Sequence, residues 1–159
     1  MRTRLAMLAC AAALTGCGDD GGNGTGDEPG FPADYASSYV EVRDCRQSAG
    51  AHDINHVKVL ADPAAAGPYM NRTDPFPAGA VVLKEEYTDA DCTGPILQWS
   101  VMVKLADGEG DAAQLGWEWQ RVVAIDNSVA EENAPRCSGC HSSCTGGAAG
   151  GYDYTCTDP

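Results

Sequence analysis

The chain has 159 residues, with 23 Asp and Glu against 10 Lys and Arg and a formal net charge of −13. Such a field repels nucleic acid and anionic lipid surfaces, and no basic patch offsets it. The length suits one domain with one core, and eight cysteines make compartment and pairing the first questions.

In chain order, residues 1–16 carry Arg2 and Arg4 ahead of a short apolar run from Leu5 to Leu14. That is the pattern of a signal peptide, and the run is too short to span a bilayer. It ends in Leu14-Thr15-Gly16-Cys17, which looks like a bacterial lipobox. Cys17 is therefore expected to carry lipid and to anchor the chain to a membrane of the cell envelope, on the periplasmic or outer-surface side. The plainer alternative is an ordinary secretory peptide that leaves Cys17 as a thiol. Both place the protein where disulfides persist. Removing Arg2 and Arg4 takes the formal charge from −13 to −15. The acidity serves solubility, or docking to a basic redox partner.

Residues 17–32 are rich in glycine and acid and almost free of apolar side chains, which predicts a tether. One domain is then expected over residues 33–159. Within it, residues 33–48 read as a short helix, because Tyr35, Tyr39 and Val42 fall at i, i+4, i+7. Asn55 to Leu60 reads as a strand. Asp62 and Pro63 supply the cap and first position of a second helix, which stops before Asp74-Pro75. Three strands follow: Gly79 to Tyr87, Pro95 to Leu105 and Gly116 to Ile125. In the first, Val81, Leu83, Glu85 and Tyr87 alternate with Ala80, Val82, Lys84 and Glu86. In the second, Leu97, Trp99, Val101, Val103 and Leu105 form a continuous apolar face. In the third, Trp117, Trp119 and Val123 share a side. Turn residues separate the strands at hairpin distances. The fold class expected is α+β, mostly β: a small antiparallel sheet, two short helices and an irregular cysteine-rich tail.

With Cys10 in the signal peptide and Cys17 lipidated, six cysteines remain: Cys45, Cys92, Cys137, Cys140, Cys144 and Cys156. Cys137-Ser138-Gly139-Cys140-His141 has the C-x-x-C-H spacing of covalent haem attachment. Two thioethers join the vinyl groups, and the adjacent histidine is placed to bind iron. Three other readings stay open. A zinc site would want a second ligand pair at matched spacing, which is missing. A thioredoxin-like pair would follow a strand in a βαβ setting, which is also missing. A framework of three disulfides would make His141 incidental. If haem takes Cys137 and Cys140, the expected pairs are Cys45–Cys92 and Cys144–Cys156, the latter flanking a short glycine-rich loop.

The order of these features resembles the cytochrome P-460 family, which includes the β-sheet cytochromes c′-beta. The residues carrying the resemblance are Pro77-Ala78-Gly79-Ala80-Val81-Val82-Leu83-Lys84, Met102-Val103-Lys104, Trp117-Glu118-Trp119 and the Cys137–His141 motif, over roughly Ala33 to His141. The resemblance implies one covalent haem c on Cys137 and Cys140, with His141 as the proximal iron ligand and an open distal side. It implies either a protein that binds nitric oxide or a haem oxidoreductase acting on hydroxylamine or a nitrogen oxide. In the latter, Lys84 matches the family lysine that bonds to the haem ring, although strand alternation alone leaves Lys84 equally placed for a surface pair beside Glu86.

The distal pocket is expected to draw on Trp99 and Val101. Both are apolar and neither offers a base, which favours a small neutral gas over oxidation of hydroxylamine. Plain core packing is the alternative role for both. Met70, Met102, His52 and His56 are the candidates for a sixth ligand, which would make the protein an electron carrier. Cys45, Cys92, Cys144 and Cys156 are extra to the family pattern and read as staples with no part in the chemistry.

Overall fold

The computed structural model describes residues 28–48, 55–146 and 150–156. Cys17 and His52, with the expected signal peptide and most of the expected tether, lie outside the described residues. A single antiparallel sheet of six strands runs in sequence order. The strands are β1 (Val40–Gln47), β2 (His56–Ala61), β3 (Val81–Tyr87), β4 (Ile96–Lys104), β5 (Trp117–Val123) and β6 (Ser128–Glu132). The helices are α1 (Tyr35–Ser38), α2 (Pro63–Asn71) and α3 (Pro135–His141). No helix among the described residues is long and apolar enough to cross a membrane.

Both faces of the sheet are covered, so alternation sorts side chains into two clusters rather than into core and solvent. One face gathers Val59, Val82, Met102, Trp117 and Trp119 beneath Ala65 and Tyr69 of α2. The other gathers Leu83, Trp99, Val101 and Val122 with Tyr35 of α1. On β3 the two sets interleave one residue at a time, as the sequence predicts. Each large side chain taken fully out of water, such as Trp117 or Leu83, contributes roughly 2 kcal/mol. α2 starts where expected, because the Asp62 carboxylate accepts from the Ala65 N–H at 2.6 Å and Pro63 needs no partner.

Three local expectations change. The helix read over residues 33–48 is one turn, Tyr35–Ser38, and the rest is β1. Tyr39 packs with the α1 cluster while Val42 belongs to the opposite face, so the i, i+4, i+7 pattern never shared a side. Pairing with β2 outweighs a helical pattern whose continuation begins with the β-branched Val40 and Val42. The expected tether also ends early. The Gly30 N–H donates to Gln120 Oε1 at 2.8 Å, and Phe31 packs at 5.3 Å from the Trp99 ring. The tail, finally, is not irregular throughout: β6 adds an edge strand and α3 carries the C-x-x-C-H motif.

Two disulfides form, Cys45–Cys92 and Cys144–Cys156, while Cys137 and Cys140 stay unpaired. These are the pairs expected from the sequence.

Candidate functional site

A cavity of about 550 Å³ opens on the α2 face of the sheet, beside α3. That volume lies within the range of small-molecule and cofactor pockets, ~300–1,000 Å³. Strand register builds its floor in rows. Val82, Met102 and Trp119 sit opposite one another across β3, β4 and β5. The next row is Val59, Lys84, Ser100 and Arg121, and Glu86 and Gln98 follow. The floor therefore grades from apolar to charged.

α3 supplies the wall that matters most. Pro135 opens it at the first helical position. Cys137, Cys140 and His141 then fall at i, i+3 and i+4, on one side of the helix, and all three border the cavity. Burial is the largest influence on the Cys137 thiol and pushes its pKa up. That is the opposite of an activated redox thiolate, whose pKa is lowered. No cluster of three or more His, Cys, Asp or Glu among the described residues is arranged to hold a metal ion, so these cysteines gain no partners for a zinc cage.

His141 is held on two sides. Its ring meets Trp119 edge-on at 4.7 Å, and Nδ1 lies 2.6 Å from the Tyr154 carbonyl oxygen. A carbonyl can only accept, so Nδ1 carries a proton, and in the neutral ring the lone pair is then on Nε2. Unpaired thiols at i and i+3, an imidazole fixed in the ligating tautomer and a cavity of cofactor size fit a haem attached through Cys137 and Cys140.

Lys84 and Glu86 lie on the cavity side of β3, which the alternation alone left undecided. Burial is the main influence on the Lys84 ammonium and lowers its pKa, while the charges of Glu86 and Cys140 act the other way. Glu86 is fully buried and accepts from Ser100 Oγ at 2.6 Å, Gln98 Nε2 at 2.8 Å and Asn55 Nδ2 at 3.2 Å. At the rim, Arg121 donates to Glu131 at 2.8 Å and to Gln98 Oε1 at 3.1 Å, and Arg136 pairs with the second Glu131 oxygen.

Trp99 lies outside the cavity lining, contrary to expectation, whereas Val101 is part of it. Both belong to the cluster on the far face, where Trp99 Nε1 donates to the Tyr35 hydroxyl at 3.0 Å. Val101 touches the cavity boundary, but the side chains that β4 turns toward the cavity are Gln98, Ser100 and Met102. The most apolar stripe of β4 goes to the face opposite α2, and the cavity takes the mixed one. Of the candidate sixth ligands, Met102 borders the cavity. Met70 is 51% exposed on α2, and His56 lies on β2 outside the cavity lining. Sequence reasoning missed Arg121, Glu131, Arg136 and Tyr154. Only Arg136, adjacent to the motif, had any local signal.

No curated protein matches the chain in sequence. The family model described as Cytochrome P460 matches residues 32–150, which spans the whole sheet, α3 and the C-x-x-C-H motif. The chain belongs to the cytochrome P460 family.

Proposed function

We propose that the protein holds one haem c through thioethers to Cys137 and Cys140, with His141 as an iron ligand, and that the haem iron would bind nitric oxide or a similar small ligand. The observation that carries this is the His141 ring, whose Nδ1 is committed to the Tyr154 carbonyl at 2.6 Å beside two unpaired cysteines. The haem would supply an iron site for a small ligand and one-electron chemistry. The chain's part is to orient the imidazole through Tyr154 and Trp119 and to line the rest of the cavity. A lipid anchor at Cys17 and a place in the cell envelope accord with two disulfides. The charge of −13 suits a basic redox partner and argues against nucleic acid.

A second reading has a specific observation behind it. Lys84 borders the cavity with a lowered pKa, and Glu86 lies two residues away on the same face. An amine with more neutral form is a better nucleophile, which suits the family lysine's position. Trp99 lies on the far face, and the cavity lining includes the Glu86 carboxylate, a base within the site. Titrating the reduced holoprotein with nitric oxide separates the readings. The proposal expects a high-spin ferrous form that takes up one equivalent. A low-spin form that becomes high-spin in Met102→Leu would identify an electron carrier. A haem peptide that retains the Lys84 segment after digestion would identify the oxidase.

A further inference from the structure

We infer that the tail over residues 150–156, clamped by Cys144–Cys156 and by Asp153, is a positioning device for His141. This rests on the reading of His141 as the iron ligand, and it gives chemistry to cysteines that sequence alone reads as staples.

The tail is built to place one carbonyl. Cys144 follows α3 directly, and its N–H donates to the His141 carbonyl at 2.9 Å. The Tyr154 N–H returns to the Cys144 carbonyl at 2.8 Å, beside the disulfide to Cys156. Between them the backbone takes an unfavourable path, with Asp153 at φ 42° and Tyr154 at φ 66°. Non-glycine residues pay for that conformation and hold it only when surrounding contacts over-determine it. Gly151, at φ 73°, is required by space as well, since a Cβ there would stand 2.7 Å from Cys144 Cβ and 2.6 Å from the Thr155 carbonyl oxygen.

Those over-determining contacts come from the sheet and from the segment after α2. Lys104 Nζ sits 2.8 Å from Asp153 Oδ2 and lies over the Trp117 ring at 4.8 Å. Trp117 Nε1 donates to the Asp153 carbonyl at 3.0 Å. The Tyr152 hydroxyl donates to the Asp74 carbonyl at 2.9 Å. Every one of these contacts flanks Tyr154, whose own carbonyl accepts from His141 Nδ1. Fixing the second ring nitrogen of a metal-ligating histidine sets its tautomer and raises its basicity. A tail released from Cys144 would lose the return path that presents the carbonyl. The other disulfide, Cys45–Cys92, borders no part of the cavity.

The test uses the full-length holoprotein. The iron–histidine stretch of the ferrous form is read by resonance Raman, with the reduction potential alongside. Cys144→Ser/Cys156→Ser should lower the stretch frequency and raise the potential, because the imidazole becomes a weaker donor. Cys45→Ser/Cys92→Ser should leave both unchanged although it also removes a staple. Lys104→Met should move them in the same direction as the tail variant, and Lys104→Arg should restore them. Where Cys144→Ser/Cys156→Ser fails to fold or keep haem, the Lys104 pair carries the decision alone. A stretch and potential matching the parent in the tail variant, or in Lys104→Met, overturns the inference. An absent iron–histidine stretch in the parent defeats instead the reading of His141 as ligand, a separate outcome.

Discussion

Glu86→Gln probes the cavity floor with the least change of shape. The carboxylate, fully buried, accepts hydrogen bonds from Asn55, Gln98 and Ser100. A glutamine can keep the geometry: its carbonyl oxygen serves Asn55 and Gln98, and its amide donates to a turned Ser100 hydroxyl. What disappears is the charge. Hydrogen bonds to charged groups contribute about 1.5–3 kcal/mol and neutral ones about 0.5–1.5, so three bonds lose roughly 3 kcal/mol. Thermal unfolding of the holoprotein, followed by circular dichroism at neutral pH, should fall by about 10 °C. The substitution also removes the Glu86 charge that favours the Lys84 ammonium, so the Lys84 pKa should drop further. A melting temperature within a degree or two of the parent would refute the view that Glu86 is a charged keystone.

Other outcomes follow from the same geometry. Burial raises the pKa of Tyr35, Tyr39 and Tyr87 above the usual 10, to about 12 for Tyr39, with the Glu85 carboxylate adding to the effect at Tyr35 and Tyr87. The folded state holds those protons more tightly, so their stabilisation is complete below pH 10 and is lost as pH climbs through 12 and beyond. Denaturant titrations from pH 9 upward should show that decline, with a shallower slope in Tyr35→Phe; a flat profile would contradict it. Arg43 is buried with Nε and Nη2 lacking partners among the described residues. Arg43→Met should therefore leave stability unchanged or raise it by about 1–2 kcal/mol in chemical denaturation, and a clear loss would show an unseen partner. Cys45→Ser/Cys92→Ser opens a link spanning 47 residues and should cost about 4 kcal/mol in the same assay.

The parts of the fold legible in sequence are those fixed by neighbours along the chain. β2 to β5 announce themselves by alternation between glycine- and aspartate-rich turns, and α2 by Asp62 and Pro63. β1 was hidden because its helical pattern joins residues that end on opposite faces. β6 offers one inward apolar residue, Val129, and exists by pairing with β5. The same division holds at the site. Cys137, Cys140 and His141 are contiguous and readable. Lys84 was placed by motif, but its face awaited the observation that both faces of the sheet are covered. Trp99 and Val101 could not be told apart in sequence because hydrophobicity marks burial, not the cavity: both pack on the far face, and of the two Val101 lines the cavity. The tail's bearing on His141 depends on an ion pair 49 residues apart, between Lys104 and Asp153, which no local pattern encodes.

The central claim is that Cys137, Cys140 and His141 form a haem attachment site, and intact mass under denaturing conditions tests it most directly. The chain should be produced in a periplasm able to attach haem, with Cys137→Ser/Cys140→Ser alongside. The account predicts a coloured parent heavier by one haem and a variant that carries none. A folded, colourless parent of unmodified mass, with both disulfides intact, would contradict it.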